Sequence, residues 1–181
     1  MPNPMKIEFV ATDQLSDTQK ESLKQLRTAV YPAAMLATLI GTQFTWASPQ
    51  WSVLVWDENE LVSRVGLVLR EIVSNGETKS IGGIGGVMTH PERQSKGYAS
   101  EAMREAVKIF LEEWKVAYAL LFCGSRVIEF YKRLQWTPFE GQIFVEQPKG
   151  RIEFTVNTAM VLDIKEVAPL NGTLDLNGLP W

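Results

Sequence analysis

Metal and disulfide chemistry have almost no material to work with in this chain: its 181 residues include a single cysteine, Cys123, and a single histidine, His90. One thiol excludes an intramolecular disulfide and a multi-cysteine zinc site, and no metal is expected. Positive charge is not in excess either. With 18 Lys and Arg against 21 Asp and Glu, the net charge is -3, and the balance favours neither nucleic acid nor an anionic membrane as partner. No window approaches the roughly 18 uninterrupted apolar residues of a membrane-spanning helix, and the opening Met1-Pro2-Asn3-Pro4-Met5-Lys6 lacks the apolar segment of a secretion signal. Together with the lone thiol, this makes a cytoplasmic location the expectation. The phosphate motifs Gly-x-x-x-x-Gly-Lys-Ser/Thr and, after an early strand, Gly-x-Gly-x-x-Gly are missing. So are internal repeats, low-complexity tracts and a linker able to divide the chain. An apolar content of 45% suffices for one core, so residues 1–181 are expected to form one domain.

Hydrophobic periodicity supplies the elements. A strand is predicted over residues 6–10, then a helix capped by Ser16 that runs to Val30 and is interrupted by Pro32, then a short helix over 33–40 ending at Gly41. Runs at 51–56 and 61–73, joined by Asp57-Glu58-Asn59-Glu60, predict a hairpin, and Asn75-Gly76 closes a second one onto residues 80–89. From Ala99 the period becomes helical, with Ala102, Met103, Ala106, Val107, Phe110, Leu111 and Trp114 on one stripe. A buried strand at 117–123, an amphipathic helix at 126–134 and strands around 142–146 and 152–164 lead to a tail ending on Trp181. That order describes a mixed sheet in an α/β fold.

The segment most able to hold a ligand is Val87-Met88-Thr89-His90-Pro91-Glu92-Arg93-Gln94-Ser95-Lys96-Gly97-Tyr98-Ala99, a strand running through a loop into a helix. Gly97 permits a tight turn, and the N–H groups from Gln94 to Ala99 would converge at a helix N-terminus, where the dipole favours an anion such as phosphate. Arg93 and Lys96 are expected to add positive charge. Upstream, Gly82-Gly83-Ile84-Gly85-Gly86 places four glycines inside a strand, which is unfavourable unless something approaches the backbone closely; a bulge or flexible loop is the plainer reading. Downstream, Phe130-Tyr131-Lys132-Arg133-Leu134-Gln135-Trp136 carries a tyrosine on a helical apolar stripe, where by spacing alone it reads as core.

The form Val-x-Thr-x-Pro-x-x-Gln-x-x-Gly-x-Ala resembles the acetyl-CoA signature of the GCN5-related N-acetyltransferases (GNAT), and Phe130 to Trp136 resembles that family's Phe-Tyr-x-x-x-Gly-Phe segment, with Gln135 and Trp136 as departures. The resemblance implies a mostly antiparallel mixed central sheet flanked by helices. It implies acetyl-CoA as acetyl-donor cosubstrate, with its pyrophosphate on the loop Gln94, Ser95, Lys96, Gly97, Tyr98 and Ala99 and its pantetheine arm beside Val87, Met88 and Thr89. A backbone N–H at Met88 or a neighbour would polarise the thioester carbonyl. Tyr131 would be the catalytic acid that protonates the departing thiolate. Length, the long hairpin and the terminal tryptophan also resemble, more weakly, the aminoglycoside 2'-N-acetyltransferases, which would place Trp181 and nearby acids such as Asp175 beside a cationic acceptor, although Ile84 stands where an acid is expected.

Acetyl transfer to a primary amine of a small molecule, directly within a ternary complex, is the resulting expectation. The alternatives are acetylation of a peptide or protein amine, and a CoA-binding sensor or interaction module without activity. A homodimer is left open. Cys123, in an apolar run, reads as a packed thiol rather than a nucleophile, and His90 as a turn residue rather than a base. The base itself is not identified: Glu71, Glu140 and Glu153 are candidates, each also readable as a surface acid, and a water chain serves equally.

Overall fold

A computed structural model describes residues 5–36 and 43–181. The chain begins with β1 (Lys6–Ala11), and a helix α1 (Asp17–Val30) follows a 3₁₀ turn. Ser16 caps α1 as expected: its Oγ accepts from Gln19 N at 3.2 Å, and Gln19 Oε1 accepts from Ser16 N at 2.9 Å. The next helix, α2, is described over Ala33–Leu36; the remainder of the predicted 33–40 helix and its stop at Gly41 lie outside the described residues.

Three strands then form the centre: β2 (Trp51–Asp57), β3 (Glu60–Ser74) and β4 (Glu77–Thr89), joined by tight turns. Asn75 and Gly76, with φ of 49° and 84°, make the two-residue turn that their sequence predicts. Helix α3 (Tyr98–Lys108) leads to β5 (Tyr118–Cys123), and α4 (Ile128–Arg133) follows a 3₁₀ turn. The rest is β6 (Thr137–Pro138), β7 (Gln142–Gln147), β8 (Gly150–Glu153), β9 (Thr158–Asp163) and β10 (Thr173–Asp175). The ten strands make one mixed sheet, ordered β6-β9-β5-β4-β3-β10-β7-β8, with β2 sharing the β10 edge of the long β3 and β1 pairing with the outer edge of β2.

Helix α3 packs Ala102, Met103 and Ala106, and the stretch after it Phe110, onto Val53, Val65, Leu67, Ile84 and Leu121 of one face. Helix α1 covers Leu54, Leu61 and Met88 on the other through Leu26, and the tail adds Leu174, Leu176 and Trp181 to that side with Val68 and Ile81. No helix among the described residues is long and apolar enough to cross a membrane.

Three expectations are corrected. The helix predicted onward from Ala99 is α-helical only to Lys108; Ile109–Trp114 is a π-helical stretch that ends at left-handed Lys115 and leaves Leu111 exposed. The widened turn carries Phe110 over Gly82 and Trp114 against Trp51 and Phe9. The single strand predicted over 152–164 is two, β8 on β7 and β9 on β5, because Phe154 between them turns into an aromatic cluster with Phe44, Trp46 and Phe122. Finally, the tail, in which no strand is predicted, carries one: β10 is an interior strand, antiparallel to β3 and parallel to β7.

Candidate active site

Strands β4 and β5 are hydrogen-bonded only across Gly82↔Ala119, Gly83↔Leu120 and Ile84↔Leu121. Beyond that point each keeps its outer partner, β4 with β3 to Thr89↔Ser63 and β5 with β9 to Cys123↔Thr158. Two strand edges therefore face one another unpaired, and an extended ligand could bond to either.

A bulge marks the opening. Gly85 pairs with Gly66 and Met88 with Arg64, so Gly86 and Val87 together face Val65. Gly86 takes the bulge's left-handed φ of 57° and is exposed, between buried Gly85 and half-buried Val87. The extra residue also reverses the alternation of faces: Gly82 and Ile84 point at α3, yet Met88 lands under α1. The close approach expected at the glycines is met in the fold itself. A Cβ on Gly82 would stand 2.7 Å from the Phe110 ring, and one on Gly83 would stand 2.6 Å from Trp181 Nε1.

The loop after β4 is built to keep donors free. His90 Nδ1 accepts from Glu92 N at 3.3 Å and so caps the 3₁₀ turn Pro91–Arg93, the turn role expected of it. Ser95 and Gly97 both take positive φ, 63° and 88°, and the first helical bond of α3 is Glu101 N to Gly97 O at 3.0 Å. No described residue accepts from the N–H groups of Gln94 through Ala99. Positive charge beside them is smaller than expected. Arg93 pairs with Glu60 at 2.5 Å and with Asp57 at 3.7 Å, and it is committed there, while Lys96 stays exposed. Tyr98 donates its phenol to Asp57 at 2.6 Å, which ties the start of α3 to the β2–β3 turn. Thr89 Oγ1 and the Met88 carbonyl both lie 2.9 Å from Ser63 Oγ, which anchors the end of β4 from the β3 side.

Tyr131 of α4 is buried between the rings of Phe130 and Trp136, as its stripe predicts. Its hydroxyl makes no hydrogen bond to a described residue. Burial pushes its pKa well above the phenolic range, helped by Cys123 and Tyr31, so the phenol keeps its proton at neutral pH. Cys123, at the end of β5 where the strands have parted, is buried with Sγ 3.7 Å from Met160 Sδ, and burial pushes its pKa up to about 11. A thiol in that state is protonated and unreactive at neutral pH. The carboxylates considered as bases are all exposed; Glu71 pairs with Ser80, at the far end of β4 from the opening, and Glu140 and Glu153 flank β7.

A family model for an acetyltransferase (GNAT) domain matches residues 12–139, which takes in the opening, the loop and the tyrosine segment. The chain belongs to the GNAT acetyltransferase family. It is therefore an N-acetyltransferase whose acetyl donor is acetyl-CoA. No curated protein sequence matches it, but solved structures share its fold. ElaA of Escherichia coli is 16% identical with a TM-score of 0.62, over 88% of this chain and 100% of that one. The ribosomal-protein-S18-alanine N-acetyltransferase of Escherichia coli is 12% identical with a TM-score of 0.55, over 90% and 96%. A GNAT acetyltransferase of Brucella melitensis solved with acetyl-CoA is 13% identical with a TM-score of 0.52, over 90% and 94%. For a GNAT enzyme the free donors of the loop fit a pyrophosphate, and the unpaired edges of β4 and β5 fit an extended amide-bearing arm.

Sequence reasoning passed over Arg64 and Tyr31. Arg64 carried a signal, as a charge inside the apolar run from Leu61 to Val73; Tyr31, at the C-cap of α1, carried none.

Proposed function

We propose that this enzyme acetylates a primary amine of a small molecule by direct attack, with both substrates bound at once. The observation that carries the reading is the opening between β4 and β5 beside the chain's one cysteine, which is buried and whose pKa burial raises, so this thiol is not poised to form an acyl-enzyme. When bound, acetyl-CoA supplies a thioester carbonyl ready for nucleophilic attack.

The chain's own groups divide the remaining work. Gln94, Ser95, Lys96, Gly97, Tyr98 and Ala99 present backbone N–H groups to the pyrophosphate at the positive end of the α3 dipole, and the exposed Lys96 adds the local charge. Val87, Met88 and Thr89 offer the unpaired strand edge, where a fixed N–H stabilises negative charge on oxygen without reorganisation. Tyr131, protonated and with its hydroxyl uncommitted, delivers a proton to the leaving sulfur. Water carries off the proton that the amine loses.

The test is thiol release from acetyl-CoA across a panel of primary amines, with initial rates measured at several fixed amine concentrations. Intersecting double-reciprocal lines are expected, with activity retained in Cys123→Ala. Parallel lines and an inactive Cys123→Ala enzyme would establish an acyl-enzyme instead.

A further inference from the structure

Arg64 sits near the middle of β3, half-buried, opposite Met88 in the β3–β4 ladder and on the face that α1 covers. Its Nε donates to Ser52 Oγ and its Nη1 to the Gly86 carbonyl, each at 3.1 Å. Two glycines leave the space. A Cβ on Gly66 would lie 2.8 Å from Nη1, and one on Gly86 would collide with it. The fold thus clears room for a guanidinium at the one exposed residue of β4 between Ile81 and Met88.

No ion pair among the described residues balances its charge, and residues 1–4 and 37–42 contain no Asp or Glu. The charged group that acts on it most is another cation, Arg27 of α1. Burial and Arg27 lower its pKa to about 10, so it remains cationic at neutral pH. Enclosing an unpaired charge is costly, and a neutral amide could bond Ser52 and Gly86 without that cost. A guanidinium has five N–H donors, of which one on Nε and one on Nη1 are used; one on Nη1 and two on Nη2 remain, enough to bond a carboxylate. The bond from Nη1 to the Gly86 carbonyl places this cation at the bulge where β4 leaves β5.

We infer that Arg64 binds a carboxylate of the acceptor, so that the amine acetylated belongs to an amino acid or a similar small zwitterion and not to a polycation. This rests on the direct amine-transfer reading above. A carboxylate held by two parallel bonds fixes both position and orientation, which directs the amine toward the unpaired edge of β4.

The probes are free amino acids, their carboxamides, and the polycations spermidine and kanamycin, assayed by thiol release from acetyl-CoA. Expected kcat/KM values favour an amino acid over its amide by about 10- to 100-fold, the scale of a charge-assisted hydrogen-bonded pair, with the polycations below both. In Arg64→Gln the acid-to-amide ratio falls close to one while the KM for acetyl-CoA holds, and Arg64→Lys, which keeps the charge and loses the fork, lies between. Calorimetry of the amino acids onto CoA-saturated protein reads the same site without turnover, and the heat disappears in Arg64→Gln. Equal or better use of amides or polycations by the wild-type enzyme, which needs no mutant to fold, overturns the inference, as does an unchanged ratio in Arg64→Gln. Amino-acid binding that depends on Arg64 with no thiol release from any amine would keep the carboxylate site and remove the transfer reading.

Discussion

Trp181 offers the sharpest test of how this fold is held together. Its ring is 6% exposed, lies against Gly83 and Gly85 on one side, and meets Phe122 edge-on at 5.9 Å. The Arg70 guanidinium sits 4.9 Å from the ring centroid and donates to the Leu179 carbonyl at 2.6 Å, while Ala47 N donates to Pro180 O at 2.7 Å. A ring of this size buries about 150–250 Å², and at about 25 cal/mol/Å² its removal forfeits about 4–6 kcal/mol, close to the ~3–5 kcal/mol of large-to-small aromatic substitutions. Trp181→Ala should therefore lose about 3–5 kcal/mol, a fifth or more of the ~5–15 kcal/mol that holds a domain of this kind together.

Trp181→Phe should behave differently. Among the described residues the buried indole N–H has no hydrogen-bond partner, a penalty of about 1–3 kcal/mol that phenylalanine removes while keeping a ring under Arg70. That gain offsets most of the lost contact, and the net cost should stay within about 1 kcal/mol. Urea unfolding followed by tryptophan fluorescence and circular dichroism measures both variants. An Ala variant within about 1 kcal/mol of wild type, or a Phe variant as unstable as the Ala one, refutes the reasoning. The same burial makes the Trp181 ring part of the core, so deleting residues 179–181 should lower stability whatever it does to an amine KM.

Three further outcomes follow from the site. Tyr131→Phe keeps the buried ring and removes the proton, so turnover should fall about 10²-fold with little change in melting temperature; an unchanged rate with chemistry limiting would return Tyr131 to a packing role. Gly97→Glu places a side chain at φ 88° and an anion among the free loop donors, where nothing stands within 4 Å of a Cβ, so the domain should fold while acetyl-CoA binding by calorimetry is lost. The Cys123 thiol is raised by burial to about 11, above its value in the unfolded chain, so the unfolded state releases its proton first and stability should decline from about pH 9 to about 11. The decline should vanish in Cys123→Ala, and iodoacetamide at pH 8 should label the thiol far faster in denaturant than in the folded protein.

Local chemistry was legible residue by residue. Ser16 caps its helix because its hydroxyl lies within reach of the backbone three residues on; Asn75-Gly76 turns because both residues tolerate positive φ; Gly97 starts a helix with free donors because no side chain resists the turn. The signature from Val87 to Ala99 and the tyrosine segment led to the family for the same reason, since each is a short stretch whose geometry is determined by its own residues. Glycine in the β4 run was correctly read as a close approach. Which atoms approach was not legible, because the Phe110 and Trp181 rings come from elements distant in sequence.

Tertiary structure alone decided where the strands part and which charges remain. The parting of β4 from β5 depends on three ladder rungs and on partners at their other edges, none of which is a property of either strand. The bulge that turns Met88 toward α1 needs a register between β3 and β4 that the alternating pattern does not encode. Arg93 and Arg64 are equally basic in the sequence, yet the β2–β3 turn brings carboxylates to one and not the other. A charge's partner is set by distance across the fold, and Coulomb energy varies with that distance and with burial, so the sequence determined the charges and the folded sheet determined which one is left to act on a ligand.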